Sequence, residues 1–570
     1  MDITVREAAA AAGGRILTGD GETRLRHISL NSRQMQGDDL FVPIIGEKVD
    51  AHRFIAGAFE AGAVCAFTSE HASEADLRNG ERLSALIAVR DTREALQALG
   101  RWYRETKVSI PFVGVTGSVG KTTTREMIAC ALSAEKQVYA TKGNSNSQVG
   151  VPITVTETDP AAEIGVIELG MSEFGEMHRI AEVARVNAAV VTNIGISHIN
   201  QLKTQENILK EKLHILDGTP DGTPLFLNGD DPILRELTEE KIHAYGIAKG
   251  RRVPIVFYGT GENADWRAEH IRLSDGLPQF ELHFRADAGN HAMRSLSKER
   301  QVCLTHETAV EQEKKSRIAA ARTKEQLNRE TAEQQDFSVS CRLQVAGMHM
   351  VLNAAAAVAA AAYFGVEPER AAAALGRFSG VDGRGETFEA GGVRIIDDSY
   401  NAAPSSMKAG LSVLCELPAA GRRIAVLADM LELGENEAAY HREVGAFIRT
   451  EGLALDEVFL YGPQSRHIAE GILGSVESAD AKSGADTSGN CAEPAMPAEA
   501  RKAKDCGCSA ATCEIAGKPL RLRQFADLDA LSDALLQELQ AGDSVLVKGS
   551  NGMGLRKVIE RLRALSGKPE

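Results

Sequence analysis

No apolar run among the 570 residues reaches the roughly 18 needed to cross a bilayer, which predicts a chain with no transmembrane segment. The opening MDITVREAAAAAGG also lacks the basic start and continuous apolar core of a secretory signal, so the expected address is the cytoplasm. Basic residues are in deficit, 64 Lys and Arg against 79 Asp and Glu, for a formal net charge of -15. That excludes a general nucleic-acid binder, which needs a basic face to displace counterions, and any anionic ligand must be held by a local site. Nor do the nine cysteines form a disulfide framework. Cys65, Cys130, Cys303, Cys341 and Cys415 stand singly in apolar or strand-like stretches, where a buried free thiol is the usual state. Cys491, Cys506, Cys508 and Cys513 fall in one segment but lack paired CxxC knuckles at zinc-finger spacing, and they read as part of a flexible loop.

What is present is an ordinary globular composition, 43% hydrophobic and 25% charged, in a chain longer than one core usually organises. Short apolar runs alternate with helical stretches throughout, which predicts an α/β protein of three domains. Residues 1–106 (DDLFVPIIG, HRFIAGAFEAGA, AVCAFTS, ALIAVRD) read as a small α/β N-terminal domain. Residues 107–379 read as a central P-loop mononucleotide-binding domain on a mostly parallel sheet, with strands in IPFVGV, IGVIEL and AAVVTNIG. Near 280 the pattern becomes strict alternation, and PQFELHF and DFSVSCRLQV read as hairpin partners. The charged stretch between them, about 286–336, reads as an insertion, either disordered or a solvated helix. GMHMVLNAAAAVAAAAYFG at 347–365 predicts a buried helix. Residues 380–570 read as a Rossmann-like α/β domain with strands in VRIIDDS, RIAVLAD, EVFLYG and SVLVKGS and a low-complexity insertion at about 476–516.

The strongest chemical signal is TGSVGKTTT at 116–124, directly after a strand and directly before a helix. Gly117 and Gly120 let the backbone wrap closely, so that successive N–H groups of Gly117, Ser118, Val119, Gly120, Lys121, Thr122 and Thr123 point into a concavity backed by the positive end of the helix. Lys121 is expected on the β/γ-phosphates and Thr122 on a Mg²⁺ ion. Val115 stands where the long GxxxxGK[ST] pattern wants glycine, so the match is to the GxxGK[ST] core. Glu168, ending a strand beside the P-loop strand, is a hard oxygen donor suited to the same ion.

Outward from the loop, the order and wording of the motifs resemble the Mur ligase family: TKGNSNSQVGVPITV, IELGMSEFGEMHRIA, VVTNIGISHI, TQENILKEKLHIL, LNGDDP and DDSYNAAPSSMKAGL. The resemblance covers nearly the whole chain except the two insertions, and DDSYNAAPSSM is closest to the branch that adds D-alanyl-D-alanine. It implies ATP as substrate, Mg²⁺ as cofactor, and UDP-N-acetylmuramoyl-tripeptide and D-alanyl-D-alanine as the molecules joined through an acyl phosphate, in peptidoglycan precursor synthesis. It implies no nucleic-acid partner, and a monomer. Lys121, Lys212, Asp398 and Asn401 would be catalytic. His198 resembles a second metal ligand, and Lys212 matches a lysine often carried as a metal-binding carbamate; by composition alone Lys210 and Lys212 are helix-surface lysines. Asp398 and Asn401 would face the nucleotide or the incoming amine on domain closure. Asn353 and Arg384 resemble ATP contacts, although Met350 replaces the family's asparagine. Ser32 and Arg33 resemble the contact to the uridine diphosphate, with Asn31 where aspartate is common. Another amide ligase on the same scaffold, of the Mur or folylpolyglutamate type, is the near alternative, and a P-loop nucleotide switch is the distant one.

Overall fold

A computed structural model of the chain describes residues 1–46, 48–69, 78–79, 82–285, 337–474 and 508–567. The charged insertion read at 286–336, with Cys303, and most of the low-complexity insertion, with Cys491 and Cys506, lie outside the described residues. Among those described, no helix is long and apolar enough to cross a membrane.

Three larger sheets succeed one another along the chain, beside two two-stranded ones among the described residues. The first has five strands, ordered Arg15–Thr18, Ala85–Ala88, Ala63–Thr68, Asp39–Phe41, His27–Ser29. Its last helix, Thr92–Thr106, is capped by the Asp91 carboxylate, which accepts from the amides of Arg93 and Glu94. Arg104 on that helix ties it to the next layer, donating to the carbonyls of Ala184, Val108 and Ile110 and stacking 4.0 Å above Phe112.

The second sheet has nine strands. Val138–Ala140, Ile164–Glu168, Phe112–Thr116, Ala188–Val191, Leu225–Asn228 and Ile255–Gly259 run parallel in that order. Every residue of Phe112–Thr116 is buried, as a parallel strand covered by helices on both faces demands. The sheet then continues through Trp266–Ser274 into antiparallel Leu277–Phe284 and Phe337–Arg342. There only one face is covered, and burial along Leu277–Phe284 alternates residue by residue. The expected hairpin partners do pair, with Phe280 opposite Cys341 and Leu282 opposite Val339. The strand Trp266–Ser274 was not expected: a register shift between Glu269 and Arg272, with His270 at φ +51°, breaks the alternation that would mark it. The alanine-rich helix His349–Tyr363 is buried from Ala354 to Ala361 and packs against the helix Lys121–Leu132, the small side chains permitting close approach.

The third sheet is ordered Glu386–Ala390, Val393–Asp398, Ser544–Lys548, Arg423–Ala428, Glu457–Tyr461, Lys518–Phe525, Cys508–Ile515, parallel except at its two edges. The segment read as low-complexity to 516 therefore ends earlier, because Cys508–Ile515 is an edge strand paired with Lys518–Phe525. Ala516 (φ +49°) and Gly517 (φ +76°) make the two-residue hairpin turn, with alanine where asparagine would have announced it.

Candidate active site

The central strand Phe112–Thr116 lies between Ile164–Glu168 and Ala188–Val191, so the loop after it emerges at the carboxyl end of the parallel strands, where ligands bind in open α/β sheets. Gly117 has φ +149°, and a Cβ there would lie 1.8 Å from Thr192 Oγ1. Gly120, at φ +85°, is the left-handed residue from which the helix Lys121–Leu132 starts. The loop is fastened to the segment 192–197. The Ser118 amide donates to the Asn193 carbonyl (3.0 Å), the Val119 amide to Asn193 Oδ1 (2.9 Å), and the Thr192 hydroxyl to the Val119 carbonyl (2.6 Å). The Ser118 and Val119 amides are thus engaged within the protein, while both residues line the cavity. The amides of the first helical turn, which no intrahelical carbonyl reaches, are those left for an anion.

Lys121 Nζ donates to the carbonyls of Gly117 (2.8 Å) and Ser118 (3.3 Å), and Lys212 Nζ donates to the same Gly117 carbonyl (3.0 Å). Lys212 is 2% exposed, whereas Lys210, two residues earlier on the same helix, pairs with Glu206 on the outer face. Burial holds the Lys212 ammonium well below the ordinary lysine range, and neighbouring Lys121 pushes it further down against the pull of Glu211. Lys121 is lowered by burial too, opposed by Glu168 and reinforced by Arg384.

Three donors suited to a divalent ion stand near these lysines. Thr122 Oγ1 is buried without a hydrogen-bond partner, the state of a hydroxyl awaiting a ligand. Glu168, 1% exposed, accepts from Asn146 Nδ2 (2.7 Å) and from Arg125 (3.3 Å), itself buried on the P-loop helix. His198 sits at φ +62° with Nδ1 2.9 Å from the Glu432 carboxylate of the third sheet's segment. Its imidazole is lowered by burial and by Lys121 and Lys212. An oxygen-rich set with one imidazole fits Mg²⁺.

The opposite wall comes from the third sheet. A cavity of about 570 Å³ separates the two walls, lined on one side by Ser118, Val119, Gly120, Lys121, Thr123, Glu168 and His198 and on the other by Arg384, Asp398, Tyr400, Asn401 and Lys548. Asn353 also lines it, accepting from the Thr124 hydroxyl (3.1 Å) and so joining the long alanine helix to the P-loop helix. Arg384 lies 4.1 Å above the Tyr400 ring. Asp398 pairs with the buried Lys548, a residue that motif reading does not single out. Arg125 and Asn146 also escaped notice; Asn146 lies inside a quoted motif and Arg125 directly after the phosphate loop, but nothing local marks them as partners of Glu168. Gly117, Thr122 and Lys212 lie beneath the cavity surface. Ser32 and Arg33 are not in its lining; they lie in a turn of the first sheet's segment, where Asn31 Oδ1 accepts the Arg33 amide (3.1 Å) as an aspartate would.

Comparison with known proteins accords with this arrangement. The Mur ligase middle domain matches residues 115–297, the Mur ligase, glutamate ligase domain matches 383–551, and the Mur ligase family, catalytic domain matches 24–104. The UDP-N-acetylmuramoyl-tripeptide--D-alanyl-D-alanine ligase of Bacillus subtilis (strain 168) is 30% identical over 561 residues, 98% of each chain. The ligase of the same name from Escherichia coli (strain K12) is 28% identical over 470 residues, 82% of this chain and 88% of that one. Among solved structures, MurF from Acinetobacter baumannii superposes with a TM-score of 0.72 at 23% identity, covering 99% of each chain, a likeness of fold. A nucleotide-fastening loop facing a second α/β wall across a cavity defines an ATP-dependent ligase of multidomain build, and the chain belongs to the Mur ligase family.

Proposed function

We infer that the chain is the family member that joins D-alanyl-D-alanine to UDP-N-acetylmuramoyl-tripeptide at the expense of ATP, in the synthesis of the peptidoglycan precursor. The observation that carries this reading is the cavity whose one wall collects cations around the P-loop and whose other wall carries the Asp398–Asn401 turn. The names of the relatives that align over nearly their full length support the choice of substrates.

The chemistry follows from charge. The terminal carboxylate of the tripeptide attacks the γ-phosphorus of ATP, ADP leaves, and an acyl phosphate results. The dipeptide amine, having lost its proton, then attacks the acyl carbon, and phosphate leaves through a tetrahedral oxyanion. Both steps concentrate negative charge, which fixed cations stabilise best where water is excluded. Lys121 and the amides of Gly120, Lys121, Thr122 and Thr123 hold the phosphates, with Arg384 and Asn353 on the nucleotide. Thr122, Glu168, His198 and a carbamylated Lys212 are the residues that would hold Mg²⁺, which supplies charge neutralisation at the phosphates. Burial favours the neutral amine of Lys212, and the neutral amine is the form that takes up CO₂. Asp398 and Asn401 face the nucleotide or the incoming amine, while residues 1–106 hold the UDP end through Ser32 and Arg33. One chain supplies both cavity walls, consistent with a monomer, and the nucleotide-activated substrate and ATP are available in the cytoplasm.

The test offers ATP, Mg²⁺, D-alanyl-D-alanine and each UDP-muramoyl peptide in turn and scores phosphate release together with the lengthened peptide. Release that requires both acceptor and donor is expected. ATP hydrolysis at one rate with or without muramoyl peptide, and no new peptide, would mark a nucleotide switch instead.

A further inference from the structure

A cluster of ligand groups lies outside the cavity, on the central domain. The helix that carries Lys212, Gln205–Leu213, runs into the short turn of helix His214–Leu216, and Asp217 follows. That turn packs against helix Glu176–Ala184, which carries His178 near its start. The supporting backbone is firmly held: Met177, Ile180, Leu213, Ile215 and Leu216 belong to one buried core, and the Met177 amide donates to the Glu211 carboxylate (3.0 Å).

Over this base His178 Nδ1 and His214 Nδ1 each lie 2.7 Å from the same oxygen, Asp217 Oδ2. The three ligand atoms all fall within 4.8 Å of one another. The imidazole planes are 80° apart, so the two rings reach the carboxylate from different directions. Two nitrogens and one oxygen so arranged supply three corners of the tetrahedron that Zn²⁺ takes. Side-chain exposure of 15% at Asp217, 34% at His214 and 55% at His178 leaves the fourth position open to water. Among the described residues no lysine or arginine is in ion-pair contact with Asp217, so its charge is available to a cation. The other two groupings of such side chains differ in this respect. Glu269, beside His270 and His283, is already held by Arg267 (2.9 Å) and Arg285 (3.6 Å), and Asp382, Glu386 and Asp397 offer carboxylates alone, with Arg563 2.6 Å from Glu386.

We propose that His178, His214 and Asp217 form a binding site for a divalent ion of the zinc class, separate from the Mg²⁺ position at the phosphates and independent of the ligase reading. Zinc bonds of about 2.0–2.1 Å set tetrahedral donors about 3.4 Å apart, so the Asp217 carboxylate swings back by less than about 1 Å to admit the ion. Each neutral imidazole then carries its proton on Nε2 and gives the Nδ1 lone pair to the metal. Imidazole nitrogen suits Zn²⁺, whereas Mg²⁺ takes oxygen donors and leaves this site unfilled. The ion ties helix Glu176–Ala184 to the end of the helix that carries Lys212.

The test uses the full chain, stripped of metal and held in excess Mg²⁺, with Zn²⁺ titrated against a chromophoric chelator. The parent takes up one equivalent more than His178→Ala, a change at an exposed position. His214→Gln and Asp217→Asn each weaken that equivalent about ten-fold or more, since each removes one of three donors. Comparing parent with variant cancels zinc held by cysteines or at the phosphate site. Zinc also raises the thermal midpoint of the parent by a few degrees and leaves that of His178→Ala unmoved, the linkage expected of an ion bound to the folded state. Equal zinc uptake and affinity in the parent and all three variants, or a thermal shift of the same size in His178→Ala, overturns the site. Should His214→Gln not fold, His178→Ala and Asp217→Asn carry the same test.

Discussion

On the central-domain wall of the cavity Lys121 and Lys212 both donate to the Gly117 carbonyl, with no carboxylate in ion-pair contact among the described residues, whereas on the opposite wall the buried Lys548 sits against Asp398. Two desolvated lysines sharing one carbonyl acceptor leave the first wall without an anion to pair them, and both are lowered by burial. On the second wall the lysine's charge is matched by Asp398 before any ligand arrives. A site that must receive phosphate benefits from the first arrangement, because the ligand brings the missing anion. A site that must hold a turn in place benefits from the second.

The sharpest way to break this contrast is Lys121→Ala. Ligation should fall by about a thousand-fold or more, since electrostatic stabilisation is the main catalytic resource in phosphoryl transfer, while calorimetric binding of UDP-N-acetylmuramoyl-tripeptide persists. Retained ligation would remove the P-loop from the reaction.

The next test compares a paired cation on the central wall with an unpaired one. Arg125 and Glu168 are 2% and 1% exposed, and Arg125→Met strands the carboxylate. Urea unfolding of this variant should show a loss of roughly 3 kcal/mol. Unchanged stability would mean that Asn146 alone satisfies Glu168.

Lys212→Met should move stability the other way. In protein prepared free of bicarbonate, the folded-state pKa of Lys212 lies below its unfolded value, so folding expels a proton and this lysine costs stability at neutral pH. That cost fades as pH rises toward the ordinary lysine value. Thermal scans should therefore find the variant about 2–4 °C more stable at pH 7, the gain shrinking toward pH 10, with ligation sharply reduced. A lower melting temperature at pH 7 would show that the Gly117 hydrogen bond outweighs desolvation. The smallest effect is expected at Ala516→Gly, at φ +49° in the hairpin turn, with about 0.5–1 kcal/mol gained from relief of the left-handed strain.

Local pattern carried much of the fold. Continuous apolar runs marked the parallel strands around Phe112–Thr116, period-two alternation marked Leu277–Phe284, and the glycines of 117–120 marked the turn into a helix, because each signal depends on residues a few positions apart. Where the local signal was broken, at the shifted register of Trp266–Ser274 and the Ala-Gly turn after Cys508–Ile515, the element went unread.

The sequence by itself determined the three α/β layers and the phosphate loop, since period and turn chemistry are properties of the chain. Only the tertiary structure decided that Lys212 faces inward while Lys210 faces out, that Arg125 and Asn146 hold Glu168, and that Lys548 closes on Asp398 from 150 residues away. Burial and long-range pairing are set by what the folded layers place opposite one another, and no spacing along the chain encodes that.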